Sequence, residues 1–240
     1  MKKVLIVFTL IVSAMLLSEC KKPSKAQAFY VFGRFLGIRH GKTVKFYRER
    51  NPKTWDYGPG KDFVSPDNLD DVFYFVGNFI GARDNRTIKF YEAHKDGKWT
   101  YGTGRDFISP YSVDGVFHFH DGVIGVWQGK TIKFYESFRR GDWHSSTVKD
   151  FVSPDNIDDA FYITNTFIGV RQGRTVKFYA INAQGDWVNS PGRDFTSPND
   201  VDNVLYLSNV MGVLKGKTIK FYELNSNGTW GYKEGNDFNF

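Results

Sequence analysis

The chain has 240 residues, 41% hydrophobic and 18% aromatic with 24 glycines, which excludes a disordered chain and favours strands and turns over an all-helical bundle. Its single cysteine, Cys20, excludes an intrachain disulfide framework and a thiolate zinc site. A net charge of +6 and a pI near 9.2 tolerate an anionic partner but fall short of the dense basic surface of a nucleic-acid binder, so no nucleic-acid partner is expected.

Residues 1–19 read as a lipoprotein signal peptide. Lys2 and Lys3 precede Val4 to Leu17, a run of 14 mostly apolar residues. As a helix that run reaches about 21 Å, short of the roughly 30 Å hydrocarbon core, so a signal peptide is favoured over a membrane span. The run ends in Leu17-Ser18-Glu19-Cys20, which resembles the bacterial lipobox, with Glu19 departing from the usual Gly, Ala or Ser. The resemblance implies cleavage before Cys20 and lipidation of its thiol. Two or more acyl chains, at about 0.8 kcal/mol per buried methylene, then make the anchor stable. Residues 20–27 form the lipidated cysteine and a polar tether. The expected location is a bacterial cell envelope. The alternative is cleavage after Ala26-Gln27-Ala28, giving a secreted protein.

From residue 28 the chain repeats itself. Phe-Tyr recurs at Phe46-Tyr47, Phe90-Tyr91, Phe134-Tyr135, Phe178-Tyr179 and Phe221-Tyr222, at spacings of 44, 44, 44 and 43. Tryptophan keeps step at Trp55, Trp99, Trp143, Trp187 and Trp230, and Asp-Phe at Asp62, Asp106, Asp150, Asp194 and Asp237. Residues 28–240 are therefore five tandem units, 28–71, 72–115, 116–159, 160–203 and 204–240. The second reads as four strands, VFYFV (72–76), FIGAR (79–83), TIKFYE (87–92) and KWTYG (98–102), separated by Gly-Asn, Asp-Asn and Lys-Asp-Gly turns. Four short strands with their connections fill a repeat of this length, as in a propeller blade. The expected fold is an all-β, five-bladed β-propeller with four antiparallel strands per blade. The ring leaves no long sheet edge exposed. The C-terminal DFNF is expected to complete the join between the last blade and the first.

The segments IDDAFY (157–162), VDGVF (113–117) and VDNVL (201–205), each followed by a GRTVKFY-like strand, resemble the hemopexin repeat. That family has four blades and a closing disulfide, and this chain departs from both. In architecture the five-bladed reading is also similar to the tachylectin-type sugar-binding propellers. The hemopexin resemblance implies an inner strand beginning near Asp70 and its copies Asp114, Asp158 and Asp202, and a central channel in which an ion could sit. Neither likeness lends a ligand by itself.

The repeated polar and aromatic residues are the site candidates. The lysines at Lys45, Lys89, Lys133, Lys177 and Lys220 are expected to pair with the Asp62 or the Asp70 series, fixing blade geometry, or to contact ligand. The tryptophans either wedge between blades or present indole platforms to sugar rings. With Tyr57, Tyr101 and Tyr232 two residues beyond them, and Arg105 and Arg193 before the repeated Asp, they make up a candidate glycan site. The same residue types also suit a protein interface. The Ser-Pro pairs at Ser65, Ser109, Ser153 and Ser197 open the crossovers. His118 and His120 are expected to replace the tyrosine and variable residue of other blades rather than to bind metal. Polar residues that repeat instead of converging argue against an enzyme, and no cofactor or metal is expected. The expected function is multivalent, lectin-like carbohydrate recognition by a lipid-anchored monomer. The alternative is a hemopexin-like scaffold that holds a host or envelope protein.

Overall fold

The computed structural model describes residues 26–240 apart from 32–34, 52, 53, 59, 60, 138–140, 165 and 208. The signal segment and Cys20 lie outside the described residues. Everything described is strand or turn, arranged as five sheets in sequence order, one per repeat. In the first blade β1 (Gln27–Val31), β2 (Phe35–His40), β3 (Thr43–Asn51) and β4 (Thr54–Tyr57) run antiparallel from axis to rim. The expected β-propeller is the observed fold. Each blade begins one residue before the boundary read from the repeats, because Gln27, Asp71, Gly115, Asp159 and Asn203 open the inner strands.

The outer strand is in two pieces. β4 pairs with the far half of β3, and a two-residue strand, β5 (Phe63–Val64), pairs with its near half at Thr43 and Val44. The repeated Asp-Phe therefore has a structural use, since its Phe begins this short strand and points into the core in every blade.

The hydrophobic core is divided among the seams. Each of five clusters takes side chains from two neighbouring blades, as where Val44, Phe46 and Phe63 meet Leu69, Val72 and Tyr91. Alternation makes this possible: Val44 and Phe46 face inward while Lys45 is exposed. A glycine at the third place of every second strand lies opposite a large inner-strand residue. Phe29 faces Gly37, Phe73 faces Gly81, Phe117 faces Gly125 and Phe161 faces Gly169. A Cβ on Gly81 would overlap the Phe73 ring, so the aromatic lies flat over the bare backbone.

The ring closes without sharing a strand. Phe238 pairs within its own blade, opposite Ile219. Its ring lies 4.9 Å from Tyr47 and 5.8 Å from Trp55 of the first blade, and Ala28 donates its backbone N–H to Asn203 Oδ1 at 3.0 Å. The C-terminal segment thus makes the expected join through side chains.

One end of the ring, where second strands turn into third strands, forms a hydrogen-bonded floor. Gln27 Oε1 accepts from Val72 N, Asp71 Oδ2 from Val116 N, Asp159 Oδ2 from Val204 N and Asn203 Oδ1 from Ala28 N, so four of the five blades hold the next. Arg39, Arg83 and Arg171 stand opposite Gln27, Asp71 and Asp159 across the strand pair. The third blade breaks the pattern: Gly115 faces Trp127, whose ring occupies the space a side chain would need.

Candidate functional site

The structure seats the tryptophans as wedges between blades. Trp99, Trp143, Trp187 and Trp230 donate their indole N–H to the main-chain oxygens of Lys61, Arg105, Lys149 and Arg193 in the preceding blade, at 2.7–3.0 Å. They stack on Phe46, Phe90, Phe134 and Phe178 with interplanar angles of 13–21°. Trp55 completes the circle on Phe221, centroids 6.1 Å apart. The stacked face and, in four of the five, the polar edge are thereby committed to the fold. Arg105 and Arg193 lie over Phe79 and Phe167, 4.9 and 5.6 Å from the ring centroids, so their side chains also close the blade.

The tyrosines two residues beyond are different, because they stay open to solvent. Tyr57, Tyr101 and Tyr232 are 41%, 42% and 44% exposed on the rim. Each hydroxyl donates to the Asp five residues on, Asp62, Asp106 or Asp237, at 2.6–2.7 Å. That bond to a carboxylate holds the phenol in its neutral form and pushes the Tyr232 pKa up to about 12. Lys45, Lys89 and Lys220 hold their ammonium groups 5.3–5.8 Å from the same ring centroids. The second oxygens of Asp62 and Asp106 are buried and receive no hydrogen bond from the described residues. A half-exposed ring, an aspartate that accepts its hydroxyl and an ammonium over the ring thus recur in blades one, two and five.

This unit differs from the expected lysine pairing. Among the described residues only Lys133 bonds the Asp62 series directly, to Asp150 at 2.8 Å, in the blade where Ser145 replaces the tyrosine. Lys89 instead meets Asp67, a residue outside both expected series, at 2.8 Å. The Asp70 series grips turns: Asp70, Asp114, Asp158 and Asp202 accept from the backbone N–H of Asn85, Gly129, Gly173 and Gly216 at 2.6–2.8 Å. Those four residues have φ of 55–61°, a left-handed conformation that the carboxylate helps to fix. The Tyr-to-Asp link is the feature that the sequence reading missed, and its signal is visible in retrospect. A tyrosine at the second place after tryptophan always has an aspartate five residues on.

At the opposite end, the roof, the fourth residue of each inner strand is Tyr30, Tyr74, His118, Tyr162 or Tyr206. His118 therefore takes the tyrosine's place, between Tyr74 and Tyr162, each 6.4 Å away between ring centroids. Burial and the neighbouring His120 lower its pKa to about 4. Among the described residues no group of three His, Cys, Asp or Glu is placed to hold a metal ion.

No family model matches the chain, and no curated protein matches it in sequence. Solved structures superpose on it. A functionally unknown protein from Desulfotomaculum acetoxidans superposes with a TM-score of 0.50 at 12% identity, over 86% of this chain and 67% of that one. A protein from Lactobacillus plantarum superposes with a TM-score of 0.48 at 11% identity, over 88% of this chain and 70% of that one. At such identities the likeness concerns the propeller architecture alone.

Proposed function

We propose that this propeller is a non-catalytic binding module that recognises carbohydrate at several rim sites and is displayed on a bacterial envelope by a lipid on Cys20. The observation that carries the reading is the Tyr/Asp/Lys unit of blades one, two and five. Its ring suits the apolar face of a sugar, its phenol oxygen can accept from a sugar hydroxyl, and its ammonium donates. The tryptophans enter as the supports that hold each rim strand on the preceding blade. Sites of about 1 mM each give useful avidity when a clustered glycan spans several of them. The hemopexin-like scaffold is the second reading, favoured by Val64, Ile108 and Val152, which are 64–68% exposed on the outer edges of blades one to three.

The test is a glycan array probed with residues 21–240, followed by the triple variant Tyr57→Ser, Tyr101→Ser, Tyr232→Ser. The variant, checked for an unchanged melting transition, should lose at least about tenfold in apparent affinity for clustered ligand. Binding that survives the triple variant removes the rim from the reading. An array with no binder, alongside a surface protein recovered by pull-down, replaces it with the scaffold.

A further inference from the structure

The seams are alike in their stacked Phe and Trp but not in what covers the stack. Phe75, in the inner-strand segment of blade two, lies 4.7 Å from Phe90 and 6.2 Å from Trp143. Phe119 lies 4.9 Å from Phe134 and 6.1 Å from Trp187. In the fourth seam Tyr206 leans on Phe178 and Trp230, at 6.4 and 6.5 Å. The first seam has Val31 in the place of Phe75 and Phe119. The smaller side chain covers the stack of Phe46 on Trp99 less fully, leaving Phe46 6% exposed against 1–2% for Phe90, Phe134 and Phe178, and a cleft of about 300 Å³ opens there at the roof.

Its chemistry is of one kind. The floor and walls are aromatic and aliphatic, built from Val31, Phe35, Phe79 and Trp99, and the rim carries Lys61, Lys95 and His94. No Asp or Glu is among the described lining residues. Lys61 holds its ammonium 5.9 Å from the centroid of the Phe35 ring, at the mouth. A saccharide would leave its hydroxyls facing hydrocarbon here, at a desolvation cost. A flat aromatic body fits the walls, and a negative charge suits the rim.

We propose that the cleft between blades one and two binds a small planar aromatic carboxylate, its ring against Trp99 and Phe35 and its carboxylate toward Lys61 and Lys95. The site is separate from the rim units and does not depend on glycan binding.

The probe is 2-naphthoate, titrated by calorimetry into residues 21–240, with 2-naphthylmethylamine as a cation of matching shape. The acid should bind at one site, at least about tenfold more tightly than the amine, and weaken as salt screens the lysines. Val31→Phe, which installs the residue found in blades two and three, should reduce naphthoate affinity at least about tenfold and leave the rim sites untouched. Lys61→Gln with Lys95→Gln should erase the preference for acid over amine while keeping the fold. Equal binding of acid and amine, unchanged binding by Val31→Phe in a folded variant, or no binding of naphthoate by the parent protein each overturns the proposal. The rim triple variant separates the two readings, since it should bind naphthoate normally.

Discussion

The two ends of the ring follow different rules. At the floor nearly every blade repeats the same device, a polar residue at the head of the inner strand that accepts the backbone N–H of the next blade. At the roof the covering residue changes from blade to blade, Val31, Phe75 or Phe119, and with it the space above each seam. The floor's contacts are hydrogen bonds to main chain, which fix geometry and leave little freedom for substitution. The roof's contacts are packing contacts, which tolerate a smaller side chain at the cost of an open cleft. Repetition therefore serves closure of the ring, and its local failure at the roof makes room for a ligand.

The largest effect is expected at the floor. Asp71 accepts from Val116 N at 3.0 Å, receives the Gln27 amide and lies 3.8 Å from Arg83 Nε. Asp71→Ala strands two hydrogen-bond donors and removes a buried partner of the Arg83 charge, and should cost about 3–5 kcal/mol by urea denaturation. A loss below about 1 kcal/mol would mean that water replaces the carboxylate and that the floor does not lock the blades.

At the roof, Phe75→Val converts the second seam into a likeness of the first. The lost packing should cost about 2 kcal/mol, and calorimetry should register a second, weaker naphthoate site. A variant that loses stability without gaining a site would show that aromatic walls alone do not make the cleft.

The smallest effect is a pH dependence. Burial raises the Asp159 pKa to about 6, partly offset by Arg171 and by the Val204 N–H. Because the native state holds this proton more tightly than the unfolded chain, the contribution is full below about pH 4 and disappears as pH rises through about 6. The stability difference between the parent and Asp159→Asn should therefore change by about 1–2 kcal/mol between pH 4 and 6.5. Parallel stability curves for the two proteins would assign Asp159 the same charge in both states.

Much of the fold is legible because it is written locally. The strand GKTVKFY alternates by itself, its turn residue is glycine or asparagine where φ is positive, and the recurrence counts the blades. The candidate site is legible only in part. The exposed tyrosines are recognisable by type and place, but the bond from Tyr57 to Asp62 spans the break between β4 and β5, which periodicity does not reveal. The repeat pattern places the lysines on two aspartate series, yet Lys89 bonds Asp67 at 2.8 Å, a carboxylate from the crossover between the first two blades.

The sequence alone determined the repeat, the number of blades and the four main strands of each, since these follow from neighbours within one unit of about 44 residues. Tertiary structure alone decided which surfaces are free. Trp99 looks like a platform on its own strand, and it becomes a wedge because Lys61, 38 residues earlier, offers a carbonyl across the seam. Val31 looks like an ordinary core residue, and it opens a cleft because the blade facing it keeps the same Trp that Phe75 covers elsewhere. Both outcomes depend on two blades meeting face to face, and that meeting is set by closure of the ring rather than by any single repeat.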